Sequence, residues 1–240
     1  MSRIVIALGG NALGNTPAEQ RDAIARAAAP LVGLIAQGHE IIVSHGNGPQ
    51  VGTIQRAFEV ASGAGGVPVM ELPECTAMSQ GYIGYHLQQG LLAELRAEGM
   101  PWHVATVVTQ VRVDPDDPAF ARPTKPIGGF CDEATARARM AAEPGLVMVE
   151  DAGRGWRRVV ASPRPVEIVE ADSILNLLDH EFIVIACGGG GVPVVGSEGV
   201  LTGVPAVIDK DFSSAALADA VGADYLFILT AVDKVSLAFG

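Results

Sequence analysis

With 240 residues the chain is long enough to bury a large core, as one large domain or two small ones. Hydrophobic residues make up 49% and charged residues 18%, below the roughly 25% typical of globular proteins, which excludes a disordered chain. A net charge of -11 without any cluster of Lys or Arg excludes a nucleic-acid or anionic-membrane surface, so any phosphate site must be local.

Residues 4–8 (IVIAL) form a β-branched apolar run that meets Gly9, Gly10 and Asn11, too short for the core of a secretion signal and suited to a buried first strand. Thr16-Pro17-Ala18-Glu19 then reads as a helix start, with Thr as N-cap, Pro at the first helical position and Glu three residues after the cap. This helix is predicted to run to about Gln37 and stop at Gly38. A second strand, EIIVS at 40–44, meets His45-Gly46-Asn47-Gly48-Pro49 in the same way, and His45 is expected to be a packed or hydrogen-bonded strand-end residue. A long helical segment follows Pro73, with Met78, Ile83 and Leu87 among its apolar positions, and ends near Gly99.

Strand-like stretches return at 103–111 (HVATVVTQV), at 182–187 (FIVIAC) before Gly188-Gly189-Gly190-Gly191, and at 225–230 (YLFILT). None of these approaches the roughly 18 apolar residues of a membrane-spanning helix, so no span is expected. Unalternated Val/Ile/Leu runs separated by helices are the signature of a parallel sheet covered on both faces, which predicts a three-layer α/β fold. Between 113 and 161 proline, glycine and charge are dense, and this stretch is predicted to protrude as a small subdomain. The resulting division is 1–112, 113–161 and 162–240. Cys75, Cys131 and Cys187 are widely separated and give neither a disulfide framework nor a metal pair, which points to a reducing cytoplasm.

Three strands thus run into glycine-rich turns, GGN at 9–11, GNG at 46–48 and GGGG at 188–191. In an open parallel sheet the crevice outside the carboxyl ends of the strands is where ligands bind, and glycines there let backbone N–H groups approach an anion. Neither GNGPQVGT nor GGNALG fits the Walker A or dinucleotide fingerprints. Two lysines stand out: Lys125, fixed between Pro123 and Pro126, and Lys210 in IDKD. Phosphoryl transfer needs cations around a dispersing negative charge, and convergent lysines are chemically sufficient for it. Residues 151–158 (DAGRGWRR) read as a polar hairpin, with closure of its three arginines over a substrate as the lesser reading.

Taken together, ALGGNAL (7–13), SHGNGPQVG (44–52), SQGYIGY (79–85), PTKPIG (123–128), DAGRGWRRVV (151–160), CGGGGVPV (187–194) and VIDKD (207–211) resemble the carbamate kinases of the amino acid kinase family, in the right order along essentially the whole chain. The resemblance implies a three-layer αβα sandwich with a mainly parallel central sheet and a protruding lid that closes on substrate. The implied reaction is reversible, Mg2+-dependent phosphoryl transfer between ATP and carbamate, giving carbamoyl phosphate and ADP. Physiologically it implies ATP formation in arginine metabolism by a cytoplasmic homodimer, with the Mg2+ carried on the nucleotide.

Carried over residue by residue, Gly9, Gly10, Asn11, Gly46, Asn47, Gly48, Gly189 and Gly190 match positions that hold the transferring phosphate and carbamate. Lys125 matches the lid lysine, Lys210 the lysine on the phosphates, and Asp211 the aspartate that holds the lysines. Lys210, Asp211, Thr230 and Val232 fall at the nucleotide. Cys131 stands where the family usually has an aromatic, which implies altered lid packing. Family members also continue past the position of Gly240 through further strands and another catalytic lysine. The resemblance therefore implies a nucleotide part cut short at its C-terminal end, with the phosphate and carbamate half retained and little turnover from these residues alone. Two other readings are a related kinase acting on another small carboxylate and a catalytically silent ligand-binding protein. Retention of Lys125, Lys210 and Asp211 speaks against the second, and carbamate needs no dedicated cation for a distal carboxylate, which separates the first.

Overall fold

The computed structural model describes residues 1–9, 13–14, 16–197 and 199–229. Strand β1 (Arg3–Leu8) is followed by helix α1 (Pro17–Ala36), which starts as its sequence predicts. The Thr16 hydroxyl accepts from the Glu19 amide at 3.2 Å and the Glu19 carboxylate accepts from the Thr16 amide at 3.1 Å. Strand β2 (Glu40–His45) leads into α2 (Gly48–Gly63), a helix not among the predicted elements. It buries only Gln50, Val51 and Gln55, so it carries no apolar period that could announce it. Helix α3 (Leu72–Ala97) ends where Gly99 predicts.

The stretch 103–111, predicted as one strand, is two: β3 (His103–Thr106) and β4 (Gln110–Val113), which belong to different sheets. The break has a side-chain cause at buried Thr109. Its amide donates to Gln80 Oε1 at 2.7 Å and its hydroxyl accepts from the Cys187 amide at 2.9 Å, so these two groups bond to partners outside any strand ladder. Strand β5 (Lys125–Cys131), helix α4 (Glu133–Ala142), β6 (Val147–Glu150) and β7 (Trp156–Val160) follow. Strand β8 (Pro165–Ile168), α5 (Ala171–Leu178), β9 (Phe182–Ile185), β10 (Val192–Ser197), β11 (Val200–Gly203), α6 (Lys210–Ala220) and β12 (Tyr225–Leu229) complete the described chain.

The central sheet has the order β12-β1-β2-β9-β3 and is parallel throughout. Strand β1 shows how it is covered. Ile4, Ile6 and Leu8 pack with α1 and α3 on one face, while Val5 joins Ile42, Val184 and residues of α5 and α6 on the other. Alternate residues of a strand face opposite sides, so both being apolar requires a helix layer on each. The predicted αβα sandwich is the observed one. A second, mixed sheet has the order β11-β10-β4-β8, and β5-β7-β6 make a third, antiparallel sheet whose Ile127 and Val160 pack on Val51 of α2. No helix among the described residues is long and apolar enough to cross a membrane.

His45 is fully buried at the end of β2, with Nδ1 at 3.0 Å from the Gly46 carbonyl and no partner for Nε2 among the described residues. Burial lowers its pKa from 6.5 to about 4, against the smaller upward pull of the bond to Gly46. The unfolded chain therefore takes up a proton near pH 6.5 that the folded chain refuses until about pH 4. Stability is expected to fall as pH drops through this window, by up to about 1.4 kcal/mol per unit and on the order of 3 kcal/mol in all. Melting curves between pH 7 and 4.5 check this: His45→Gln, which cannot titrate, should show a flatter dependence, and an unchanged slope would remove His45 as its cause.

Candidate functional site

Strands β1, β2 and β9 are neighbours in the sheet and parallel, so the turns that follow them share one edge. The Leu8 carbonyl accepts from the Gly46 amide at 3.0 Å, which joins the first turn to the second beside Gly9. Cys187 and Gly189 both have positive φ, 52° and 66°, and this lets the third turn fold back under the second. Gly189 is a necessity there, because a Cβ on it would lie 2.1 Å from Asn47 Nδ2. Asn47 itself is buried and donates to Ser79 Oγ at 2.8 Å, and Ser79 Oγ in turn donates to the Thr76 carbonyl at 2.7 Å. Gly190 stands behind this turn against the Ile208 carbonyl.

At this edge lies a cavity of about 270 Å3, lined by the Gly46-Asn47-Gly48 turn, Gly189, Lys125, Lys210 and Arg157. The first turn of α2, at Gly48 and Pro49, opens on it, and a helix N-terminus presents backbone N–H groups without intrahelical partners. The chain thus brings both singled-out lysines, 85 positions apart in sequence, to two of its glycine turns. Gly10, Asn11, Thr230 and Val232 lie outside the described residues.

The carboxylates are distributed differently from what the resemblance implies. Asp211 pairs with its neighbour Lys210 alone, whereas the Nζ of Lys125 is held by Asp209. The physical reason is the start of α6. Asp209 is its N-cap, accepting the Asp211 amide at 2.9 Å through Oδ1, and this turns Oδ2 toward Lys125. Burial would raise the pKa of Asp209, but the Lys125 hydrogen bond, the Asp211 amide and the charges of Lys125 and Lys210 hold it below the ordinary carboxylate value. Its charge is therefore present at neutral pH. Asp209 was not singled out from the sequence, where the one signal for it is that Asp is a common N-cap residue.

Arg157, given little weight from sequence, also faces the cavity. Its Nε donates to the Gly128 carbonyl at 3.1 Å and its Nη1 to Asp151 Oδ2 at 3.0 Å, a bond that leads the depression of the Asp151 pKa. With Lys125 and Lys210 it gives the cavity three cations, a set suited to a phosphoryl group. Cys131 is half-buried on β5, its thiol 3.6 Å from the Trp156 carbonyl and packed beside Met140 and Met148. Among the described residues no group of three or more His, Cys, Asp or Glu is placed to hold a metal ion.

The family model of the amino acid kinase family matches residues 2–239. A carbamate kinase-like protein of Escherichia coli K12 is 53% identical over 239 residues, 99% of this chain and 76% of that protein. The carbamate kinase of Staphylococcus haemolyticus is 54% identical over 240 residues, 100% of this chain and 77% of its own length. Among solved structures, carbamate kinase from Giardia lamblia bound to citric acid superposes with a TM-score of 0.89 at 45% identity, covering 95% of this chain and 75% of that one. The same Giardia enzyme bound to AMP-PNP gives 0.85 at 45% identity, covering 96% and 74%.

Proposed function

Because the chain belongs to the amino acid kinase family, we propose that it transfers a phosphoryl group reversibly between ATP and carbamate and serves mainly to form ATP from carbamoyl phosphate and ADP. The observation that carries this reading is the convergence of Lys125, Lys210 and Arg157 on the cavity at the carboxyl edge of β1, β2 and β9. A transferring phosphoryl group spreads negative charge over its equatorial oxygens, and fixed cations and N–H groups at that place lower the barrier without covalent chemistry. Lys210 and Lys125 take those oxygens from two sides. Asp209 is a positioning residue that holds Lys125 before substrate arrives, and Asp211 does the same for Lys210. Asn47, pinned by Ser79 and Gly189, fixes the shape of the turn on which carbamate rests.

The AMP-PNP held by the Giardia enzyme supports a nucleotide as the second substrate. Mg2+ enters this reading on the nucleotide phosphates and supplies further charge neutralisation there. The chain's own carboxylates at the site, Asp209 and Asp211, are taken up by lysines and offer the ion no ready cage. A homodimer belongs to the same proposal: Met78 and Tyr85 stand exposed seven residues apart on α3, and an apolar patch of this kind suits a second copy. The test is ATP formation from ADP and carbamoyl phosphate, with acetyl phosphate as the alternative donor. ATP formed from carbamoyl phosphate alone supports the reading. A chain that ignores carbamoyl phosphate in both turnover and thermal stability would overturn it.

A further inference from the structure

One to three turns further along α2 lies a second cavity of about 250 Å3, which shares only Ile127 with the first. Its α2 wall carries Gln55, Arg56 and Glu59, and its opposite wall carries Arg139 of α4 and Arg158 of β7. Arg158 follows Arg157 directly, and successive strand residues leave a sheet on opposite faces, so one strand serves both cavities. Glu59 is the centre of the cluster. Its carboxylate accepts from Arg56 Nη1 at 3.3 Å and Arg158 Nη1 at 3.2 Å, and lies 3.5 Å from Arg139 Nη2.

Three guanidinium groups on one carboxylate leave two positive charges, and among the described residues no second acidic side chain lines the cavity. In a chain of net charge -11 with only 16 Lys and Arg, the local sign is the reverse of the global one. An ion pair that merely pins the β5-β7-β6 sheet to α2 needs one arginine for its carboxylate. Each guanidinium presents five N–H donors, and most of these have no protein partner among the described residues. Gln55, only 8% exposed, also faces the cavity and makes no hydrogen bond among the described residues. Its amide stays open to the cavity, where a ligand can take the place of solvent on it.

We propose that this cavity is a second ligand site, which takes a compact oxyanion carrying two or more negative charges between α2 and the β5-β7-β6 unit. The cavity falls just below the roughly 300–1,000 Å3 of pockets for drug-sized ligands and suits a small metabolite. Inorganic phosphate and a short dicarboxylate share the required chemistry. Either would take the free guanidinium donors of Arg139 and Arg158 from one wall and of Arg56 and the Gln55 amide from the other. It would therefore tie the two units together more strongly than Glu59 does alone.

The experiment is calorimetric titration of the chain with inorganic phosphate and, separately, with succinate, in a Lys125→Ala, Lys210→Ala background that weakens the first cavity. One class of binding should persist there. Adding Arg139→Ala should weaken it about ten-fold or more. Adding Glu59→Gln should instead tighten it, because a competing carboxylate is removed, and this gain is not what a disrupted fold would give. The better of the two probes identifies the ligand as phosphate-like or carboxylate-like. Alkylation of Cys131, which lines the same cavity, should slow when the probe is bound. Loss of all binding with the two lysines, or titrations of the Arg139→Ala and Glu59→Gln chains that match their parent, would overturn the site.

Discussion

Lys210→Ala is expected to lower turnover of carbamoyl phosphate and ADP about 100-fold or more, the usual cost of removing one group that stabilises charge in the transition state. Stability should change little. The Lys210 side chain is 18% exposed and its ion-pair partner is the adjacent Asp211, so alanine leaves no buried charge behind. The two effects are separated by measuring kcat and Tm on the same preparation. Asp209→Asn makes the informative comparison: Lys125 keeps its charge and loses its anchor, so the fall should be smaller and should lie in kcat more than in KM. Full turnover from a well-folded Lys210→Ala chain would take the phosphoryl group away from this cavity.

The second large effect is expected from a residue without a side chain. Gly52 lies on the face of α2 that meets β5, and a Cβ there would stand 2.1 Å from Gly128 Cα and 2.3 Å from its N. Both are backbone atoms, which cannot swing aside as a side-chain tip can. Gly128 in turn has φ +72°, at the point where the register of β5 on β7 shifts. Two glycines thus allow helix and strand to touch. Gly52→Ala should push β5 off α2 and move Lys125, three residues upstream, away from Asp209. Alanine gains up to about 1 kcal/mol of helix propensity over glycine, while overpacking costs about 1–3 kcal/mol, so a net loss of stability is expected. Turnover should fall about ten-fold or more, because an ångström of misplacement at a transferring group is costly. Gly63→Ala, on the same helix with nothing within 4 Å of its Cβ, is the control and should leave both quantities near or above their starting values. If the two variants melt alike, the close contact yields freely and does not set the position of β5.

The sequence by itself determined the layers of this protein. Apolar runs at 4–8, 41–43 and 182–187 can only be satisfied between two helix layers, and the glycines within a few residues after each run mark the edge where a ligand meets backbone. The capped start of α1 was equally legible, since a capping box is a contact between residues three apart. These are properties of neighbours in the chain. Partnership was decided only by the tertiary structure. Lys125 takes Asp209 and not Asp211, a choice between two carboxylates that the letters IDKD present alike and that the N-cap geometry of α6 resolves. The apolar stretch 103–111 divides because Gln80 and Cys187, remote in sequence, bond Thr109. Helix α2 exists with hardly any apolar face because α3 and the β5-β7-β6 sheet cover it, and Glu59 gathers, beside Arg56 on its own helix, arginines from α4 and β7 that no spacing connects to it. Period and propensity are fixed by local sterics, whereas the partner of a charge depends on which surfaces packing brings within a few ångströms.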